Sequence, residues 1–187
     1  MGIDKIQNYG INDLTNTPLW NLIQKELNSS NLQWEDGKFN SDQGRTNIRD
    51  SKIAWIGSTH LRSQLFNMID SYNKQTWNYK LDVCDVPQYG IYLNGGYYDW
   101  HVDEEPEVCH LMRKLSATIW LNDPDEYEGG EFDIEVRGPH DHSRYDSFKL
   151  PKGSIVVFPS NKWHRVRPVT SGVRKSLVTW FRGSPFK

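Results

Sequence analysis

Residues 115–136, LSATIWLNDPDEYEGGEFDIEV, decide the fold class. Two runs rich in β-branched and aromatic residues, 115–121 and 130–136, flank a segment of Asn, Asp, Pro and Gly that is typical of a loop. The same alternation of strand-like runs and loop-like segments continues from about residue 80 to the end of the chain. We predict strands at residues 83–93, 98–102, 115–121, 130–136, 148–150, 154–158, 164–169 and 175–181. Seven or eight short strands separated by turns indicate a mainly β sandwich or jelly roll rather than alternating strands and helices.

The composition of the 187-residue chain agrees with this. The chain has two alanines, Ala54 and Ala117, against eight Trp, nine Tyr and seven Phe. Because alanine favours helices and aromatic residues favour strands, a β-rich core is expected.

Two helices are predicted before the strands. The first begins at Thr17-Pro18 and carries an apolar stripe to Leu27, and the second runs from Ser58 or Thr59 to Tyr72. We expect one domain, 1–187, of mainly β (α+β) class. Its residues 1–80 would form a helical and extended support region packed on one sheet, and residues 81–187 the β core.

Charge and apolar patterning exclude several classes of protein. With 22 basic and 24 acidic residues the net charge is −2, so nucleic-acid binding is not expected. No uncharged apolar run approaches 18 residues, which argues against a membrane span. The first residues lack the apolar segment of a signal peptide, so we expect a cytoplasmic protein. Cys84 and Cys109 are too few for a disulfide framework and are expected to be reduced.

The first candidate functional residues are His101 and Asp103, which are separated by the single residue Val102. On a strand, residues two apart project from the same face, so the imidazole and the carboxylate would converge. His164 begins another predicted strand. Two His and one carboxylate with open coordination positions are typical of non-haem Fe(II) oxygenases. The pair by itself is weak evidence, since most such pairs are surface polar residues.

Arg174 and Ser176, ten and twelve residues after His164, form the second candidate. The planar fork of an arginine suits a carboxylate, and a nearby hydroxyl can add a donor. A divalent metal and this arginine would hold the two ends of a dicarboxylate. The alternative is an ordinary surface arginine.

Together these residues resemble a known family. The motif is Tyr92-x-x-Gly95-x-x-Tyr98-x-x-His101-x-Asp103, followed by His164 and by Gly172-Val173-Arg174. It is similar to that of the iron- and 2-oxoglutarate-dependent dioxygenases, and within them to the prolyl 4-hydroxylase-like group and its PKHD-type hydroxylases. Further similar segments extend the resemblance over about residues 85–183.

The resemblance implies a double-stranded β-helix, which is a jelly roll with iron at its open end. It implies that Fe(II) is bound by His101, Asp103 and His164. It also implies that Arg174 pairs with the distal carboxylate of 2-oxoglutarate and that Tyr92 and Ser176 help to hold this cosubstrate.

The implied reaction uses O2, with ascorbate as a possible reductant, to hydroxylate a prolyl residue of a peptide or protein with release of succinate and CO2. Tyr98 and Trp100, which flank the first ligand in sequence, are expected to line the substrate pocket. Trp120 stands where some prolyl hydroxylases have a cosubstrate-binding tyrosine, although it can donate only through its indole N–H.

Three alternatives stay open. A nucleobase oxygenase shares the His-x-Asp pair and the arginine, but the net charge counts against it. A non-catalytic cupin-like module would carry His-x-His with a nearby Glu rather than the pattern seen here. A second metal site at His140-Asp141-His142 is less favoured than an exposed loop, because the segment follows Gly and Pro.

Overall fold

A computed structural model describes residues 8–29, 31–37, 48–104, 110–138 and 140–186. Cys109 lies outside these residues, and Cys84 is a buried free thiol. In the part of the chain that is described, neither helix is long and apolar enough to cross a membrane.

Two helices form where the apolar stripes predict them. Helix α1 covers Pro18–Ser29, and the Thr17 hydroxyl accepts a hydrogen bond from the Trp20 N–H (3.2 Å), which is the expected N-cap. Helix α2 covers Thr59–Thr76 and is capped by Ser58. It continues one turn beyond the predicted end, because no helix-breaking residue follows Tyr72 until after that turn.

The described residues form fifteen strands and one short 3-10 helix, Pro124–Glu126. The strands are β1 Gly10–Asp13, β2 Glu35–Asp36, β3 Arg49–Asp50, β4 Lys52–Trp55, β5 Val83–Cys84, β6 Gln88–Tyr92, β7 Tyr97–His101, β8 Met112–Trp120, β9 Tyr127–Gly129, β10 Phe132–Glu135, β11 Tyr145–Phe148, β12 Ser154–Pro159, β13 His164–Val166, β14 Val169–Gly172 and β15 Arg174–Gly183.

These strands build two larger antiparallel sheets and one two-stranded ribbon. The major sheet has the order β1-β12-β8-β15-β6-β4-β2, with β5 also paired to β15. The minor sheet has the order β11-β10-β13-β7-β3, and β14 pairs with β9. Strands that neighbour each other in space are mostly distant in sequence, so the predicted jelly roll is confirmed.

The strand boundaries differ from the prediction in three ways. The strand predicted at 148–150 lies at Tyr145–Phe148 instead. The runs predicted at 83–93 and 164–169 are each two strands, the first interrupted near Pro87, which cannot donate to a ladder. The first 80 residues also supply strands β1–β4 to both sheets, in addition to the two helices. Those strands have two to four residues, too short to show a period in the sequence.

The major sheet separates two apolar cores. On one face, Leu115, Ala117 and Ile119 of β8 pack with α1 and α2. On the other face, Trp120 of β8 and Phe158 of β12 pack towards the minor sheet. The alternation follows from the two-residue period of a strand, so consecutive residues of β8 serve different cores.

The ribbon of β9 and β14 depends on glycine at two positions. Gly129 has φ +66° and Gly172 has φ +73°, in the left-handed region that disfavours other residues. A Cβ at Gly129 would stand 2.3 Å from the Pro168 carbonyl oxygen, and one at Gly172 would stand 2.3 Å from the Glu126 carbonyl oxygen. Backbone conformation and space therefore both require glycine in this ribbon.

Gly129→Ala is expected to lower the free energy of unfolding by about 2 kcal/mol, since it adds left-handed strain and a backbone clash. Gly57→Ala is the matched control, because no atom lies within 4 Å of a Cβ built there. Urea unfolding of both variants measures the difference. Equal stability of the two variants would contradict this account of the ribbon.

Candidate active site

The side chains of His101, Asp103 and His164 converge at one buried point. One ligand atom from each lies within 4.8 Å of the other two. His101 ends β7 and His164 begins β13, and the two are directly paired across these strands. Asp103 lies just beyond the end of β7, where its N–H donates to the carbonyl oxygen of Ser160 (2.9 Å). The strand pairing therefore positions the histidines, and this longer-range hydrogen bond positions the carboxylate.

Backbone carbonyls orient both imidazole rings. The Nδ1 atom of His101 lies 2.7 Å from the carbonyl oxygen of Asp99, and that of His164 lies 2.9 Å from the carbonyl oxygen of Lys162. A carbonyl oxygen can only accept, so Nδ1 carries the proton in both rings. The unprotonated Nε2 atoms then face Asp103, at 3.5 Å and 3.4 Å from its two carboxylate oxygens.

Burial and neighbouring charge keep His101 and Asp103 in the forms that bind metals. Burial, followed by the effect of His164, lowers the pKa of His101 to about 4. Burial acts to raise the pKa of Asp103, but the positive charge that the two histidines carry when protonated outweighs burial and holds that pKa well below its usual range, so the carboxyl stays ionised. A neutral imidazole and an ionised carboxylate are therefore present at neutral pH.

A divalent cation fits this arrangement. The three side chains direct lone pairs at one another with no proton between them, which is unfavourable unless a positive charge lies at their centre. Ligands at right angles with bonds of about 2.1 Å stand about 3 Å apart, close to the separations seen here. Two His and one carboxylate leave further positions open, as in non-haem iron sites.

Arg174 is buried in the same core that contains these ligands. Its side chain is 1% exposed, and its Nη1 donates to the hydroxyl of Ser176 (3.1 Å). The guanidinium carbon lies 5.4 Å from the ring centre of Tyr92 and 5.6 Å from that of Trp120. Arg174 is thus no surface residue, and both aromatic residues predicted near it are its neighbours.

Two donor positions of this guanidinium are unused. Within the described part of the chain, Nε and Nη2 of Arg174 have no hydrogen-bond partner. These two atoms form one edge of the fork, which is the geometry that grips a carboxylate with two bonds. A buried charge in this state is costly, so the site is suited to an anion.

Phe132 connects the two ends of the pocket. Its ring centre lies 5.7 Å from that of His164 and 6.0 Å from that of Trp120. Phe158 lies against His164 as well, at 4.8 Å. The metal-type cluster and the arginine therefore share one apolar, desolvated region of the core, in which charge interactions are strong.

Tyr98 and Trp100 contact different groups although they are two residues apart on β7, because the pairing of β7 with β13 shifts register between Tyr98 and His101. The ring of Tyr98 stacks on His101 with centres 3.5 Å apart. Trp100 instead packs on Tyr145 at 5.6 Å and lies beneath the guanidinium of Arg165. The expectation that Trp100 lines the pocket is corrected here, because the residue next to a ligand on a strand points to the opposite face.

The prediction from the sequence missed Tyr127, which begins β9. Its side chain is 3% exposed and packs in the core with Trp120. The sequence signal for it was hidden, because it lies between loop-like Asp, Glu and Gly residues. His140, Asp141 and His142 are all exposed, as expected of a loop.

A cleft with two indole rings opens beside the metal-type cluster. We call it the tryptophan cleft; its lining residues are Trp55, Asp85, Val86, Arg113, Trp180 and Arg182. Trp55 is 46% exposed, and its ring centre lies 6.4 Å from that of Trp180. Arg113 donates to the carbonyl oxygen of Asp103 (3.5 Å). The cleft is therefore adjacent to the candidate metal ligand.

The chain is similar in sequence to known proteins. Residues 87–182 match the family profile described as the 2OG-Fe(II) oxygenase superfamily. A PKHD-type hydroxylase of Teredinibacter turnerae is 39% identical over 100 residues, which are 51% of this chain and 42% of that protein. The chain thus matches less than half of the length of this relative.

Solved structures share the fold. A prolyl-4-hydroxylase from Pseudomonas putida superposes with a TM-score of 0.67 at 20% identity, over 95% of this chain and 94% of the other. A prolyl hydroxylase of Trichoplax adhaerens, in complex with a hypoxia inducible factor peptide fragment, has a TM-score of 0.67 at 19% identity, over 93% and 83%. The predicted double-stranded β-helix is confirmed by these likenesses.

The geometry of His101 predicts its tautomer. In the metal-free protein at pH 7 we expect a neutral ring protonated at Nδ1, because the Asp99 carbonyl accepts from that atom and the pKa is about 4. Two-dimensional ¹H–¹⁵N correlation of the ring nitrogens, followed from pH 8 to acid, measures both features. A ring protonated at Nε2, or one that titrates near its ordinary pKa, would contradict the assignment.

Proposed function

The chain belongs to the 2OG-Fe(II) oxygenase superfamily, and from that premise we propose that it is an Fe(II)- and 2-oxoglutarate-dependent dioxygenase that hydroxylates a prolyl residue of a peptide or protein. One oxygen atom of O2 would enter the substrate C–H bond and the other would enter succinate, with release of CO2. The family name gives Fe(II), 2-oxoglutarate and O2; ascorbate is proposed as the reductant that keeps the iron ferrous.

The observation that carries the proposal is the opposite polarity of two clusters in one buried region of the core. Three convergent acceptors, from His101, Asp103 and His164, suit a cation. The unpaired edge of Arg174 suits an anion. A metal-chelating 2-oxo acid with a distal carboxylate satisfies both ends together.

Each residue then has a defined task. His101, Asp103 and His164 hold Fe(II), whose contribution when bound is the one-electron and O2 chemistry that side chains lack. Arg174 neutralises the distal carboxylate of 2-oxoglutarate, and Ser176 fixes the guanidinium through Nη1. The apolar walls exclude water from the reaction.

Tyr92 completes the arginine end of this pocket. It is paired with Arg174 between β6 and β15, and its ring lies against the guanidinium. The aromatic face stabilises the charge without neutralising it, so the guanidinium keeps its attraction for an anion.

The tryptophan cleft supports a peptide substrate. Its volume of about 480 Å³ is in the range of ligand sites, and extended proline-containing segments dock in aromatic-lined grooves. Trp180 also has a buried indole N–H without a partner among the described residues, which can donate to a peptide carbonyl. The Trichoplax neighbour, whose title gives a bound peptide fragment, is consistent with this class of substrate.

We also propose that residues 1–187 act as one domain. Strand β1 pairs with β12, and β4 pairs with β6, so the support region, residues 1–80, is joined by strand pairing to the catalytic core, residues 81–187.

The test of the proposal is turnover. The chain is incubated with Fe(II), 2-oxoglutarate, ascorbate and O2 together with a library of proline-containing peptides. We expect succinate in proportion to peptide that gains the mass of one oxygen atom on proline. Succinate coupled to oxidation of another residue or of a nucleobase would replace the prolyl assignment, and binding without succinate would favour a non-catalytic module.

Asp103→Ala is expected to abolish turnover and to weaken Mn(II) or Fe(II) binding more than about 100-fold, because even outer partners of metal ligands contribute 10- to 100-fold. The matched control is Asp141→Ala, which removes the aspartate of the exposed His-Asp-His sequence. Calorimetry under argon measures the metal affinity of each of the two variants. Equal losses in the two variants, or none in the first, would refute the assigned ligand.

Trp55→Ala is expected to raise the KM for the peptide about 10-fold, because removing an aromatic wall of the cleft loses buried contact area with the substrate. Affinity for 2-oxoglutarate should stay unchanged, since this residue lies outside the buried pocket. Trp34→Ala is the control, an indole that is similarly exposed, at 42% against 46%. Unchanged peptide kinetics in Trp55→Ala would argue against this entry route.

A further inference from the structure

The short turn between β12 and β13, residues 160–163, contacts two of the three candidate metal ligands. We call it the ligand turn. The carbonyl oxygen of Ser160 accepts from the N–H of Asp103 (2.9 Å) and from the N–H of Glu104 (3.0 Å). Two residues further on, the carbonyl oxygen of Lys162 lies 2.9 Å from Nδ1 of His164. The positions of both ligands therefore depend on where the backbone of this turn lies.

Asp103 needs this support because it lies beyond the end of its strand. Strand β7 ends at His101, and its pairing with β13 includes Tyr98 and His101 but not Asp103. Among the described residues, the other hydrogen bond to the backbone of Asp103 comes from Nη1 of Arg113 and is long, at 3.5 Å. The two hydrogen bonds to Ser160 are thus the main constraint on the backbone that carries this carboxylate.

The ligand turn is itself anchored to strand β8 through Ser160. The N–H of Ser160 donates to the carbonyl oxygen of Lys114 (3.0 Å), and its hydroxyl lies 2.9 Å from the hydroxyl of Ser116. Strand β8 is paired with β12 on one side and with β15 on the other, so its backbone is fixed on both edges. A continuous series of hydrogen bonds therefore leads from β8 through Ser160 to Asp103.

The two serine hydroxyls form a buried polar pair. Ser116 is 0% exposed and Ser160 is 1% exposed. Ser116 lies on the face of β8 that also carries Trp120, as the two-residue period of a strand requires, and not on the face that packs against the helices. A buried hydroxyl costs free energy unless it is paired, and two apolar side chains would fill the same space without this requirement. Packing alone therefore does not account for the pair.

We infer that the hydroxyl pair of Ser116 and Ser160 positions the metal site. By fixing the ligand turn on β8, it holds the carboxylate of Asp103 and the ring of His164 in the geometry that binds a divalent cation. Both serines act through the backbone of the turn and are positioning residues. The inference rests on the proposed function, because that function assigns Fe(II) to these ligands.

Ser116→Ala and Ser160→Ala each remove one hydroxyl and leave the other buried without its partner. We measure Mn(II) affinity by calorimetry under argon and the thermal midpoint of the metal-free protein. Each variant should bind Mn(II) about 10-fold more weakly, the lower end of the loss that follows from removing outer partners of metal ligands. Each should also have a lower midpoint, because an unpaired buried hydroxyl is destabilising.

The matched control is Ser154→Ala, the same substitution at another buried serine. Ser154 begins β12, at the end of that strand that pairs with Asp13 of β1, and is 8% exposed. Because it lies at the end of β12 away from the ligand turn, its substitution should leave the Mn(II) affinity unchanged. A loss of affinity equal to that of the other two variants would contradict the inference.

The double variant Ser116→Ala/Ser160→Ala separates positioning from stability. It removes both partners of the pair, so its thermal midpoint should return towards that of the unmodified chain. Its Mn(II) affinity should remain about 10-fold reduced, because the hydroxyl link between the ligand turn and β8 is still missing. The electron paramagnetic resonance spectrum of the bound Mn(II) should also differ from that of the unmodified chain, since a displaced carboxylate changes the symmetry of the ligand field.

The outcomes separate this inference from the proposed function. If the unmodified chain fails to bind Mn(II), the proposed function fails and the inference fails with it. If the unmodified chain binds Mn(II) and the single variants bind it equally well, only the inference fails. A double variant that recovers the affinity together with the midpoint would show that the hydroxyls serve stability alone, and would also overturn the inference.

Discussion

A guanidinium that is 1% exposed and has no carboxylate partner among the described residues is an expensive element of a fold. The desolvation of one such ion costs several kcal/mol, and Arg174 recovers only part of it from Ser176 and from the faces of Tyr92 and Trp120. Its strand β15 is paired on one side with β6 and on the other with β8. The arginine is therefore fixed on the inner face of the major sheet and cannot turn towards water.

The opposite end of the pocket lacks a positive charge, just as the arginine end lacks a negative one. Asp103 faces the unprotonated nitrogens of His101 and His164, so acceptors are crowded where donors are absent. In the free protein both ends are electrostatically incomplete, and the apolar side chains around them, such as Phe132, offer no compensating charge. A cation at one end and a carboxylate at the other would neutralise both charges. Binding of these ligands would therefore stabilise this region of the fold.

The local sequence pattern was sufficient to predict part of this site. The spacing of His101 and Asp103, with a later histidine, indicated the ligands, although β7 ends at His101 and the position of Asp103 depends on the distant Ser160 carbonyl. Tyr127 could not be found in this way, because its three-residue strand is defined only by pairing with β14. Trp100 shows the converse error, since adjacency in sequence was given more weight than the alternation of a strand.

The same alternation explains how the fold tolerates such a site. Ile119 of β8 lies in the core beneath the helices and is 0% exposed, while its neighbour Trp120 faces the pocket. The helix-facing core, which includes Leu61 and Leu65, is apolar and closely filled, so it supplies hydrophobic stabilisation that the polar pocket does not. The residues that stabilise the fold and the residues of the candidate active site thus lie on opposite faces of the same strands. It follows that the polar groups of the pocket can differ from one relative to another without disturbing the core that holds the strands in register.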